Sequence, residues 1–315
     1  MKRRKFIQSS ALGSLALGMS LNGCTTGKDN TIPKRPLGKT GEKLSIIGFG
    51  GIMLKNNPQD FANELVAMAF DAGVNYYDIS PFYGNAEERL GHALKPYRDK
   101  CFLACKTEKR DAVNAEKALH ESLALLQTDH FDLYQLHMLS SVEEVEQAFG
   151  PGGAMEVFHK AKKQGKVRYL GFSAHSVDAA MLAMQKFDFD TILFPINFNC
   201  WLNGNFGPQV FETAKSKGMG ILAIKAMALT LLKEDEVWPY KNVWYLPIED
   251  DAMAKLAFRY TLSKEITAAI PPGDVKFFYK ALEVITDLKT ITTAETNLLT
   301  QFVAEKPPIF SYGAV

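Results

Sequence analysis

From Leu44 onward the chain repeats one pattern: a short run rich in β-branched and aromatic residues, then a longer stretch with apolar residues at helical spacing. Strands are expected over residues 44–49, 75–79, 101–106, 131–137, 167–172, 191–198, 220–225 and 267–270. Helices are expected over 61–72, 86–94, 113–126, 142–164, 177–186, 209–217, 252–262 and 275–288. Gly73, Gly165 and Gly218 stand where helices should stop. Strands joined through a helix run parallel, because parallel neighbours need a crossover. Eight such units in a chain of 315 residues fit a closed (β/α)8 barrel, the TIM barrel, as a single α/β domain. The turn residues Pro36 to Gly41 suit a hairpin closing the barrel floor. Gly48-Phe49-Gly50-Gly51-Ile52-Met53 follows a strand, but a dinucleotide fingerprint needs glycine where Met53 stands. It reads instead as a glycine-rich first loop that lets backbone approach a ligand.

The first residues do not share this pattern. Lys2-Arg3-Arg4-Lys5 and Phe6 precede a modest Gly/Ser/Ala-rich apolar stretch ending Leu21-Asn22-Gly23-Cys24. A basic start, a short apolar core and a small residue before the cut describe an export signal, here similar to a twin-arginine signal. Leu-x-Gly-Cys resembles a lipobox, with Asn22 an unusual occupant, and makes Cys24 the lipidated residue. The expected organisation is a signal peptide over 1–23, lipidated Cys24 and a polar tether over 24–34, and the barrel over 35–315. The expected location is periplasmic, as a membrane-anchored bacterial lipoprotein. No internal apolar run is long enough to span a bilayer, so a lipid is the one membrane contact expected.

A formal net charge of +1 gives no electrostatic footprint for nucleic acid. Cys24, Cys101, Cys105 and Cys200 have no CxxC spacing, and the six histidines form no His-x-His pair, so no metal site is expected. Cys101 and Cys105 share a strand and would lie roughly 13 Å apart, too far to bridge.

Barrel chemistry sits at the carboxyl ends of the strands. Four polar residues occupy such ends here: Asp78 in YYDISPFYG, Tyr83 in the loop that follows, Lys106 in FLACKT and His137 in LYQLHML. Taken singly, the Asp is a turn residue, the Tyr surface, the Lys a solvent-seeking side chain and the His a satisfied core group. Together, three neighbouring strands bring an acid, a phenol, an amine and an imidazole to one spot.

In order and spacing, Asp78 to Gly84, Lys106-Thr107, His137 and Gly171-Phe172-Ser173 resemble the aldo-keto reductase family, along essentially the whole chain after about Leu37. The resemblance implies hydride transfer between NAD(P)(H) and a small carbonyl or alcohol substrate, such as an aldehyde, ketone or sugar. It leans to NADP(H) while leaving NAD(H) open. Tyr83 would be the proton donor. A phenol is a weak acid at neutral pH, and a nearby ammonium lowers its pKa, a natural role for Lys106. Asp78 would keep Lys106 charged, and His137 would position the substrate oxygen.

For the cofactor, the resemblance implies Ser173, Ile224, Lys225, Gly273 and Lys276 as contacts. Departures are plain: the family's asparagine after Ser173 is Ala174, its glutamine position is Pro195, and Ile224 replaces a stacking aromatic. Asn197, on the same strand face as Pro195, is expected to substitute. His175 is read either as a polar contact or as a helix cap. Asp274 would oppose a 2′-phosphate.

The loop from Ala228 to Asp250 is long and carries Trp238, Tyr240, Trp244 and Tyr245. With Phe82 and Trp201, Trp238 and Trp244 are the expected substrate contacts, the alternative being a hydrophobic plug on the rim. Because twin-arginine export moves folded proteins, a cofactor could be loaded before export. The competing function is a cofactor-binding sensor or structural subunit with little turnover.

Overall fold

The computed structural model describes residues 32–313, apart from 234–236, 238, 239 and 287. Cys24 and Trp238 therefore lie outside the described residues. Among the described residues twelve strands occur in chain order: β1 (Lys34–Pro36), β2 (Lys43–Ser45), β3 (Phe49–Gly50), β4 (Tyr76–Asp78), β5 (Phe102–Thr107), β6 (Phe131–Leu139), β7 (Val167–Ala174), β8 (Thr191–Pro195), β9 (Gly220–Ile224), β10 (Ala228–Thr230), β11 (Leu246–Pro247) and β12 (Ala268–Ile270). The helices are α1 (Gln59–Asp71), α2 (Ala86–Leu94), α3 (Ala112–Leu125), α4 (Val142–Phe149), α5 (Ala154–Lys163), α6 (Val177–Lys186), α7 (Phe198–Leu202), α8 (Pro208–Ser216), α9 (Asp251–Leu262), α10 (Val275–Thr286) and α11 (Thr293–Phe302).

Strands β3 to β9 and β12 form one parallel sheet in chain order. Its edges meet through a parallel bridge between Ile47 and Ala269, with Gly48 N donating to Ala269 O at 3.0 Å. The expected (β/α)8 barrel is the fold. Side-chain alternation along each strand sorts residues into two cores. Tyr76, Phe102, Ala104, Leu133, Leu193, Leu222, Ala268 and Ile270 fill the barrel interior over Leu37 and Leu44. Tyr77, Leu103, Cys105, Tyr134 and Leu136 face the other way and pack under the helices.

The floor is closed by the β1–β2 hairpin, with Lys34 opposite Ser45. Gly38, at φ 53°, approaches so near that a Cβ would lie 2.4 Å from Gly220 N at the start of β9. Two expectations need correction. The helix expected over 142–164 is two, α4 and α5, parted by Gly150-Pro151-Gly152-Gly153; a Cβ on Gly153 would meet Ala148 O at 2.4 Å. The strand expected to run to 198 stops at Pro195, where Asn197 caps α7 by accepting from Cys200 N at 3.0 Å.

Candidate active site

Parity along the strands places the polar groups. Asp78 lies two residues after Tyr76, Lys106 two after Ala104, and Gln135 and His137 two and four after Leu133, so all continue the interior face. Register adds depth: Asp78 pairs with Ala104, and Lys106 with Gln135. Apolar layers fill the barrel up to this level, and the polar layer sits on top.

Lys106 is buried and donates to Asp78 Oδ1. Asp78 Oδ2 is approached at 3.4 Å by both the Tyr76 hydroxyl and Gln135 Nε2. Burial acts against the Lys106 ammonium, but Asp78 and Tyr83 outweigh it and push its pKa up to about 12. Tyr83 ends a short 3-10 turn, Pro81–Tyr83, capped by Ser80, and its ring centroid lies 5.4 Å from Lys106 Nζ. Withdrawal from water raises the Tyr83 pKa above its ordinary value; Lys106 pulls it down and Asp78 opposes that pull. The expected net lowering by Lys106 is thus corrected, because desolvation is the larger influence. The phenol stays protonated at neutral pH.

His137 is held neutral, its pKa pushed well below the ordinary value by burial and then by Lys106. Ser80 Oγ lies 3.1 Å from its Nδ1 and accepts from Phe82 N. In the tautomer where Ser80 donates to Nδ1, Nε2 carries the ring hydrogen. Arg110 ties down the end of β6 by donating to His137 O at 2.6 Å.

These groups line a cleft of ≈160 Å³ together with Gly50, Phe82, Ser173, His175, Ile224, Lys225, Trp244, Tyr245 and Gly273. A second cavity of ≈580 Å³ shares Asn242 and Gly273 with it and is lined by Lys55, Asn56, Tyr240, Lys241 and Asp274. A larger cavity, ≈650 Å³, lies at the floor around Arg35 and Ile266, remote from these groups. No group of three His, Cys, Asp or Glu among the described residues is placed to hold a metal.

Of the residues singled out in sequence, Asp78, Tyr83, Lys106, His137, Ser173, Ile224, Lys225, Gly273, Phe82 and Trp244 meet at the cleft. Three do not. Asn197 is fully buried, with Nδ2 donating to Lys225 O and Ala228 O, both at 2.8 Å; capping and turn-holding use its amide. Trp201 packs edge-on against Phe211, with the Lys264 ammonium 4.6 Å over its ring. Lys276 is held by Glu249, and Asp274 Oδ1 accepts from Lys276 N at 2.9 Å. Ser80, Gln135, Lys55 and Lys241 were not singled out. Gln135 had a signal, since a polar residue at interior parity two before His137 belongs to the same layer. His175 lines the cleft, and the cap of α6 is Ser176.

A closed α/β barrel with an ionisable cleft at its strand ends defines a barrel enzyme. The model of the aldo/keto reductase family matches residues 46–242. L-galactose dehydrogenase of Arabidopsis thaliana is 28% identical over 299 residues, spanning 85% of this chain and 92% of the relative. A 6-dehydroglucose reductase of Novosphingobium aromaticivorans is 30% identical over 197 residues, spanning 54% of this chain and 62% of the relative. The holo form of an aldo-keto reductase from Bacillus halodurans shares the fold with a TM-score of 0.68 at 20% identity, over 89% of this chain and 98% of that one. The chain belongs to the aldo/keto reductase family and is an oxidoreductase. The family uses NAD(P)(H) and acts on small carbonyl and alcohol compounds.

The residues present fit a nicotinamide dinucleotide. Leu193, Ile224 and Ile270 give the first cavity apolar surface for a flat ring. Lys55 and Lys241 in the adjoining cavity supply charge for a diphosphate.

Proposed function

We propose that this protein transfers hydride between NAD(P)(H) and a small carbonyl or alcohol compound, with Tyr83 as general acid and base. One observation carries the reading: Tyr83, Lys106 and His137 face one cleft, and an adjoining cavity that shares Asn242 and Gly273 with it carries Lys55 and Lys241. When bound, the nicotinamide supplies or accepts the hydride. The chain's own residues handle the proton. In reduction, charge develops on the carbonyl oxygen; His137 Nε2 holds that oxygen and Tyr83 gives up its phenolic proton to it. The Lys106 ammonium, kept charged by Asp78, stabilises the phenolate that remains. In oxidation the same phenolate takes the proton back.

Ser173, Ile224 and Gly273 are the cofactor contacts this reading assigns at the ring end, with Lys55 and Lys241 at the diphosphate. Ser173 Oγ already accepts from Met138 N at 2.8 Å and keeps its hydrogen to donate. Phe82 and Trp244 form the substrate wall. The basic, apolar and Leu-Asn-Gly-Cys sequence of the first 24 residues supports export and anchoring through lipidated Cys24.

Mass spectrometry of the natively purified protein for bound NAD(H) or NADP(H), followed by titration and turnover with aldehydes, tests the enzyme reading. Bound nucleotide with turnover is expected. Nucleotide binding with no turnover on any carbonyl would leave a sensor, and no nucleotide binding would end the proposal.

A further inference from the structure

The proton-handling scheme leaves one buried base unused. β9 ends at Ile224, and Lys225 turns with φ 65°, a left-handed conformation that costs a lysine energy. Asn197 fixes the turn through Lys225 O. The side chain, 8% exposed, lines the cleft. Its Nζ lies 3.4 Å from His175 Nε2 and 5.2 and 5.9 Å from the ring centroids of Trp244 and Tyr245. Among the described residues lining the cleft, Asp78 is the one carboxylate, and Lys106 already engages it. An ammonium withdrawn from water without a counter-charge is costly. Burial pulls the Lys225 pKa down to about 7, with Lys106 acting in the same direction. His175, also held neutral by burial, accepts from the ammonium instead of competing with it.

We propose that Lys225 and His175 form a subsite for a carboxylate carried by the substrate, so that the compounds turned over are carbonyls or alcohols bearing an acid group. The inference rests on the hydride-transfer reading of the cleft. A nicotinamide ring does not explain the ammonium, because the ring is neutral when reduced and cationic when oxidised. The dinucleotide's negative part has Lys55 and Lys241 in the adjoining cavity. Among the described residues, Lys225 is the cation of the cleft that no carboxylate engages, and that matches one compact negative group on the substrate. The Trp244 and Tyr245 rings flank the ammonium, and its low exposure strengthens a charge-assisted contact there.

The test compares matched substrates, succinic semialdehyde with butanal and glucuronate with glucose. In the wild type the acid member of a pair should have kcat/KM at least about tenfold higher, as a charge-assisted hydrogen bond provides. Lys225→Met should bring that ratio close to one, and Lys225→Arg should keep part of it. Calorimetry of butyrate and butyramide with the protein saturated by NAD+ or NADP+, whichever it binds in the titration, gives a readout free of turnover. Butyrate binding that Lys225→Met abolishes supports the subsite, and so does the same loss in His175→Gln should Lys225→Met fail to fold. Three results would overturn it: an acid-to-neutral ratio unchanged in Lys225→Met, a weakened nucleotide Kd with that ratio intact, or a lower Tm with that ratio intact. Failure to bind any nucleotide is a separate outcome that removes the hydride-transfer reading and this subsite together.

Discussion

Asp78 and Lys106 are each buried and depend on the other for charge balance. Removing one partner of such a pair strands a charge, so Lys106→Met should lose roughly 3–5 kcal/mol of stability. Adding Asp78→Asn should recover most of it, and urea unfolding of the two variants checks this. A single variant as stable as the wild type would mean the pair is not a closed ion pair in solution. Tyr83→Phe asks a chemical question, because it removes one hydroxyl and keeps the ring. Turnover should fall by about 10²–10⁴-fold, the usual worth of a positioned acid, while nucleotide Kd stays within a few-fold. Wild-type kcat would sink Tyr83 as donor. Asp78, Lys106 and His137 were legible in sequence because each breaks an apolar strand at its carboxyl end. Asn197 misled, since the same-face argument presumes the strand continues past Pro195, whereas the chain turns there and the amide becomes a helix cap. The direction of the Tyr83 pKa was not legible either. It depends on how far the phenol is withdrawn from water, which spacing does not encode.

Helix boundaries were legible where glycine punctuates the pattern, as at Gly73 after α1 and Gly165 after α5. They were obscured over 142–164, where apolar spacing on both sides of Gly150–Gly153 reads as one face. Helix α11 was missed, although Thr292 and Glu295 make a capping box, because a polar stretch with one buried residue gives little periodicity. Between α2 and α3 a single glycine sets the approach: a Cβ on Gly91 would lie 2.4 Å from Leu125 O. Gly91→Ala should therefore cost about 1–3 kcal/mol by overpacking, read as a lower Tm with kcat/KM intact. An unchanged Tm would show that the helices can part without penalty. The segment ending in β11 is the opposite case. Trp244 is 44% exposed, edge-on to Tyr245 and Phe310, and lines the cleft. Trp244→Ala should cost roughly 1 kcal/mol or less of stability yet lower kcat/KM by about tenfold or more. A large Tm loss with kcat/KM unchanged would make this segment a plug on the rim.

Over the whole molecule, the barrel puts the start of the described chain and the ionisable cleft at opposite ends of its strands. The described chain begins at the floor, where Ile32 is buried, Lys34–Pro36 pairs with β2, and Gly38 presses on the start of β9. The ionisable cleft lies at the other end of the strands. A tether over 25–31 could extend at most roughly 25 Å, which suits a short link between a lipid and a folded domain. On the lipoprotein proposal, wild-type protein fractionates with membranes, and Cys24→Ser moves to the soluble periplasmic fraction with its kcat/KM intact. The acyl chains are the one anchor proposed, and each buried methylene contributes only about 0.8 kcal/mol, so losing them should release the protein fully. Replacing Arg3 and Arg4 by lysine tests the route separately: folded, active enzyme should then remain in the cytoplasm. Membrane retention of Cys24→Ser would end the lipid reading while leaving export intact. Continued export of the lysine pair would end the twin-arginine reading while leaving the anchor intact. A fall in kcat/KM for Cys24→Ser would end the reading of residue 24 as an anchor and nothing more.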